Sequence, residues 1–172
     1  TDPQYWAYKH IDGIKSPSSI LITESAVYPS VFRFLCKKII CCKSNFPLEH
    51  YFDSFRSEKG TLVAGSSVAS TAWNFAQYAG ASEIYVAGLD LAFPNKQTHI
   101  KGSTFEQATH TTSKRIATAE TSNMPILFSG NACYEKNYKQ ENVLTDQRMK
   151  MFAWWFESRL EQFPDVKTYT LS

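Results

Sequence analysis

Apolar and polar positions along this chain switch between a helical period and runs of strand type. Val68, Ala72, Phe75, Ala76 and Ala79 recur at helical spacing. Gly80 closes that stretch, because a helix C-terminus favours a residue that tolerates positive φ. Ile84-Tyr85-Val86-Ala87 follows as a short β-prone run and leads straight into Gly88-Leu89-Asp90. Upstream, residues 20–22 and 38–42 read as strands. Residues 29–34 read as a short helix, and residues 47–55 as a short helix or loop. Residues 61–64 lead into the small-residue turn Gly65-Ser66-Ser67. Past Asp90 the pattern loosens. Residues 94–123 are polar, as irregular lids and mobile segments often are, with a short helix expected over 114–120. Residues 124–128 are apolar and are expected to dock. Thr145 is the expected N-cap of the clearest helix, with Asp146 in its first turn. Met149, Phe152, Ala153, Phe156, Leu160 and Phe163 mark its apolar face, Pro164 stops it, and residues 167–171 read as a last strand.

Strands alternating with helices predict an α/β fold with a doubly wound, mostly parallel, Rossmann-like sheet. At 172 residues the chain suits one domain spanning 1–172. Aromatics reach 15%, which first reads as an aromatic-rich core and second as a pocket or subunit contact. The net charge is +2 and the basic residues form no stripe, which argues against a nucleic-acid surface. No apolar run reaches the length of a membrane span, and the first residues do not form a signal peptide. Cys36, Cys41, Cys42 and Cys133 lack metal-ligand spacing and read as free thiols of a cytoplasmic protein.

In open α/β sheets, ligands sit at the carboxyl ends of strands and at helix N-termini. Gly65, Ser66 and Ser67, followed by Val68, would present backbone N–H groups to a phosphate or a sugar carboxylate; the plain alternative is an N-cap turn. Gly88 and Asp90 lie at a strand end. There the Asp90 carboxylate suits a ribose hydroxyl, a metal–phosphate or a lysine, or else caps the following loop. His99 is the foremost general-base candidate, because an ordinary imidazole titrates near physiological pH. It lies on the polar loop after Pro94. His110 and His10 come next, and an idle surface histidine is the plain reading of each. Asp2, beside Pro3, follows an expected upstream strand and is a further candidate for contacting donor or acceptor.

The segment Gly65, Ser67, Val68, Gly80, Gly88, Asp90, Leu91, Ala92, Thr98, His99 and Gly102 resembles the family joining archaeal 6-hydroxymethylpterin diphosphokinases (MptE-like) to bacterial motility accessory factors (Maf). Ser66 departs from its glycine-serine-valine turn, so either serine can hold the ligand. The likeness extends to residues 1–6 with His10 and to residues 143–163, and the turn–helix–strand pattern is similar to bacterial sialyltransferases. Members carry a glycine-rich nucleotide motif ahead of the Asp-Pro segment. The resemblance thus implies a piece of a longer protein that lacks the first part of its donor site and is a poor catalyst alone.

What the resemblance implies is a glycosyltransferase-like domain. It would move a nonulosonic (sialic-acid-like) sugar from a CMP-activated donor to flagellin Ser/Thr, with His99 as base and no metal or other cofactor. Two alternatives stand beside it. One is a pterin diphosphokinase using ATP and Mg²⁺, which needs a cluster of carboxylates where only Asp90 is well placed. The other is a non-catalytic module that binds a protein through its aromatic surface; an oligomer is compatible with any of these readings.

Overall fold

The computed structural model describes residues 4–43, 46–57, 59–63 and 67–171. In chain order the elements are α1 (Tyr5–Tyr8), β1 (Lys15–Glu24), β2 (Leu35–Cys42), α2 (Pro47–Asp53), α3 (Val68–Tyr78), β3 (Glu83–Ala87), α4 (Thr104–Thr112), α5 (Ala119–Phe128), β4 (Cys133–Lys136), β5 (Asn142–Thr145), α6 (Gln147–Gln162) and β6 (Lys167–Leu171). Short 3₁₀ turns cover Pro29–Arg33 and Pro94–Lys96. The strands pair two by two: β1 with β2 and β3 with β6 in parallel, β4 with β5 antiparallel. The fold is therefore mixed α/β with parallel strand pairs. Parallel neighbours need a crossover: residues 25–34 with the Pro29–Arg33 3₁₀ turn link β1 to β2, and α4, α5 and α6 lie between β3 and β6 in the chain.

The chain divides into two compact units, residues 1–62 with 102–108 and residues 63–101 with 109–172. In the first unit, β1 lies beside β2 with Ile20–Glu24 in register with Lys38–Cys42, and Val31 is fully buried. Glu49 of α2 is buried and accepts hydrogen bonds from the Ser25 hydroxyl and the Lys59 ammonium. Lys59 therefore holds the Glu49 carboxyl below its ordinary range, with the Ser25 hydroxyl adding to the effect. Of the adjacent thiols, Cys42 is buried and donates to the Thr23 carbonyl, while Cys41 is half-buried on the opposite side of β2.

In the second unit, α3 covers one face of the β3–β6 pair. Trp73 is buried, its indole N–H donates to the Thr168 hydroxyl of β6 at 2.9 Å, and its ring meets Trp155 of α6 edge-on. Trp155 is thus the packed member of the α6 tryptophan pair, and Trp154 stands in solvent. A second core joins Phe93, Leu127 and Leu144, with Ala132 and Met149 against it. Of the apolar residues 124–128, Leu127 docks in this core, while Met124, Ile126 and Phe128 are exposed.

Three expectations change. Asp146, not Thr145, is the N-cap of α6. Its carboxylate accepts the Met149 N–H at 2.9 Å, and Thr145 ends β5. Residues 114–117 form a bridged turn rather than a helix, and the helix begins at Ala119. The segment 94–123 also carries α4, so it is less irregular than its composition suggests.

Candidate functional site

Ser67 is the N-cap of α3, in extended conformation, and its hydroxyl accepts the Ser70 N–H at 3.2 Å. Ser70 returns the bond, its hydroxyl oxygen lying 3.4 Å from the Ser67 N–H. This capping box satisfies two of the four N–H groups that a helix start leaves without intrahelical acceptors. The two left over are those of Val68 and Ala69. Val68 is exposed, so solvent or a ligand reaches this helix start. Behind the cap, the buried Asn74 side chain accepts the Val63 N–H at 2.8 Å and fixes the chain that enters α3.

The direction of α3 follows from lengths. Eleven residues of helix and five of strand both span about 16 Å. Only residues 79–82 separate them, Gly80 sits at φ +88°, and the Ala81 N–H returns to the Ala76 carbonyl. Trp73 in mid-helix reaches Thr168, which is in register with Ile84 near the start of β3. The helix therefore runs back along the strand, and the Ser67–Ala69 start lies at the carboxyl end of β3. That direction puts Ser67 and Val68 toward the strand end that carries Gly88 and Asp90.

At that strand end, Gly88 adopts φ +70° and Leu91 φ +50°, so two left-handed residues bracket Leu89-Asp90. A Cβ at Gly88 would meet nothing within 4 Å, so the backbone conformation alone calls for glycine there. Leu91 has no such licence, and its left-handed conformation costs about 1–2 kcal/mol. Contacts from far along the chain offset this. The Thr145 hydroxyl donates to the Leu91 carbonyl at 2.9 Å, and the Phe93 N–H donates to the Leu144 carbonyl at 2.7 Å. Phe93 itself is buried at 3% exposure, worth about 2 kcal/mol for a large apolar side chain. Asp90 is exposed.

The Thr145 anchor is itself braced. Asp146 is fully buried, and its second oxygen takes the Arg148 guanidinium at 2.6 and 3.0 Å. Burial pushes the Asp146 carboxyl up, but the Met149 N–H and Arg148 outweigh it and hold it below the ordinary carboxylate range. Gly130 lies against this carboxylate, with no room for a Cβ, and its carbonyl accepts the Gln147 N–H at 3.0 Å.

His99 is exposed in the loop after the Pro94–Lys96 turn, and its Nδ1 lies 3.2 Å from the Thr98 hydroxyl, which also reaches Asn123. It belongs to the same unit as Asp90. His110 of α4 is also exposed. Asp2, Gly65 and Ser66 lie outside the described residues. Among the described residues, no group of three or more His, Cys, Asp or Glu is arranged to hold a metal ion. No helix there is long and apolar enough to cross a membrane. Sequence reasoning missed Asn74 and the role of Thr145. Asn74 carried a signal, a polar residue between Trp73 and Phe75 on an otherwise apolar stretch. Thr145 carried none, since its partner is 54 residues away.

In parallel α/β units, helix starts and strand carboxyl ends are where ligands generally bind. The 6-hydroxymethylpterin diphosphokinase MptE-like family matches residues 1–96, more than half of the chain, and the chain belongs to that family. The match includes the α3 start and the β3 end and stops before His99. An uncharacterized protein of Treponema pallidum (strain Nichols) is 35% identical over 200 aligned residues, covering 99% of this chain and 51% of that relative. The chain thus spans about half the length of this relative. No solved structure matches.

Proposed function

We propose that this chain forms the nucleotide-binding part of a sugar transferase of the motility accessory factor type. The Val68 and Ala69 N–H groups take the donor phosphate, and Asp90 contacts the ribose or the sugar. What supports this most is the start of α3, with two N–H groups without intrahelical acceptors, on a helix that runs back along β3 toward the strand end carrying the exposed Asp90 carboxylate. In the reaction, the bond between the anomeric carbon of the nonulosonic sugar and the CMP phosphate breaks. A new bond forms to a Ser or Thr hydroxyl of flagellin, CMP leaves, and the hydroxyl proton passes to His99. Helix N–H groups stabilise the charge that grows on the departing phosphate. Transfer needs no metal cofactor in this reading, and it fits a protein of the cytoplasm.

The family's own description favours a second reading, transfer of diphosphate from ATP to a pterin. That chemistry relies on Mg²⁺ held by carboxylates. Among the described residues no group of three or more His, Cys, Asp or Glu is arranged to hold a metal ion, so the carboxylate set offers less to that reaction than the helix start offers to a CMP-sugar.

The test is turnover of a CMP-activated nonulosonic acid by the whole protein and its His99→Ala variant. Loss of a general base lowers turnover by about two to four orders of magnitude, with donor affinity little changed and His110→Ala mild. Near-normal turnover in His99→Ala removes the histidine base. Absence of sugar transfer together with ATP-dependent diphosphate transfer to a pterin replaces the whole reading with the second.

A further inference from the structure

We infer that Thr145 is a positioning residue for the ligand-facing end of β3, acting through the Leu91 carbonyl on the placement of Asp90. The inference rests on the nucleotide-site reading for its consequence, but its geometry stands by itself. Thr145 is buried at 4% exposure, and its one hydroxyl proton goes to the Leu91 carbonyl at 2.9 Å. Leu91 is the residue immediately after Asp90, and it occupies a left-handed conformation that a leucine does not choose unaided.

The chain turns twice within four residues, at Gly88 and again at Leu91. The first turn is intrinsic to glycine. The second is imposed by Thr145 and by the Phe93–Leu144 backbone bond, both from the end of β5. Where Asp90 stands is therefore decided by a strand more than 50 residues away. That strand end is in turn locked by the buried Asp146 cap and its Arg148 partner. Residues 91–93 and 144–146 work as one clasp: release the hydroxyl and the Leu91 peptide loses its hold, while the α6 cap stays intact.

This separates Thr145 from a generic stabilising contact. Thr145→Val keeps the shape and removes the donor, Thr145→Ser keeps the donor, and Leu91→Gly removes the need for one. The test uses amide hydrogen exchange on the protein together with binding of CMP as probe. Thr145→Val is expected to speed exchange at Phe93 by about tenfold while exchange at residues 68–70 and in α6 stays as it was. It is expected to weaken CMP binding about fivefold to tenfold, the size of one buried hydrogen bond. Thr145→Ser should keep both near wild type, and Leu91→Gly added to Thr145→Val should recover CMP affinity.

Unchanged exchange at Phe93 in Thr145→Val overturns the inference, and so does faster exchange spread evenly over the second unit, which would mark plain destabilisation. If the wild-type protein does not bind CMP, the nucleotide reading fails. Exchange at Phe93 then still decides whether Thr145 holds the strand end.

Discussion

The two halves of the candidate site are built in opposite ways. The start of α3 is held by near neighbours: Ser67 and Ser70, three residues apart, cap each other, and Asn74 holds Val63. The loop after β3 is held from outside, by Leu144 and Thr145 reaching back to Phe93 and Leu91. A local device survives as long as its own few residues do. A distant one depends on everything that keeps the distant strand in place. The candidate site therefore combines a locally capped N–H donor and a carboxylate whose position is borrowed.

The largest expected effect falls on the borrowed half. In Gly130→Ala, a Cβ would collide with the Asp146 carboxylate and pry open the β5–α6 junction. Overpacking a buried contact of this kind costs about 1–3 kcal/mol, occasionally more. Urea unfolding of the variant should show that loss, and an unchanged midpoint would mean that the junction yields and the contrast between the halves is weaker than drawn.

Next comes Asp146, through its pH dependence. Its folded carboxyl is held below its ordinary value, so the stability it contributes is present above the unfolded value and is lost as pH falls through the folded one. Asp146→Asn should therefore unfold more easily at neutral pH, by about 1–3 kcal/mol for a buried charged cap. The gap to wild type should close as acid protonates Asp146. A gap that stays constant from neutral to acidic pH would assign the loss to packing instead of charge.

The smallest effect belongs to the self-contained half. Ser67→Ala removes one side of the capping box and should cost about 1 kcal/mol. It should leave hydrogen exchange at Phe93 untouched, because the cap bonds join Ser67 to Ser70 and the clasp bonds join residues 91–93 to 144–145. Faster exchange at Phe93 in that variant would show that the two halves are coupled.

The same contrast explains what the sequence disclosed. Helix α3, strand β3, helix α6 and strand β6 could be read in advance, because the periodic apolar residues that define them are local, from Val68 to Ala79 and from Met149 to Phe163. Helix α4 escaped because Thr104–Thr112 holds four threonines, which are mediocre helix formers. Helix α5 escaped because Pro125 sits inside it, where a proline ordinarily signals a break. The β4–β5 hairpin has strands of only four residues, and its turn is made by the Asn137 side chain, which accepts the N–H groups of Lys139 and Glu141. At the site, Ser67, Gly88 and Asp90 were legible from a turn, a glycine and an acid in fixed order. The left-handed Leu91 and its Thr145 clasp were not, because no short-range pattern encodes a bond between residues 54 positions apart.

The central claim is that the α3 start and the β3 end bind one phosphorylated nucleotide together. The most direct measurement is a titration of the isotope-labelled protein with CMP, followed at the backbone amides. The account predicts that the amides of Val68, Ala69, Gly88 and Asp90 shift together along a single binding curve. Shifts confined to other residues, or no response at these four when CMP saturates the protein, would contradict it.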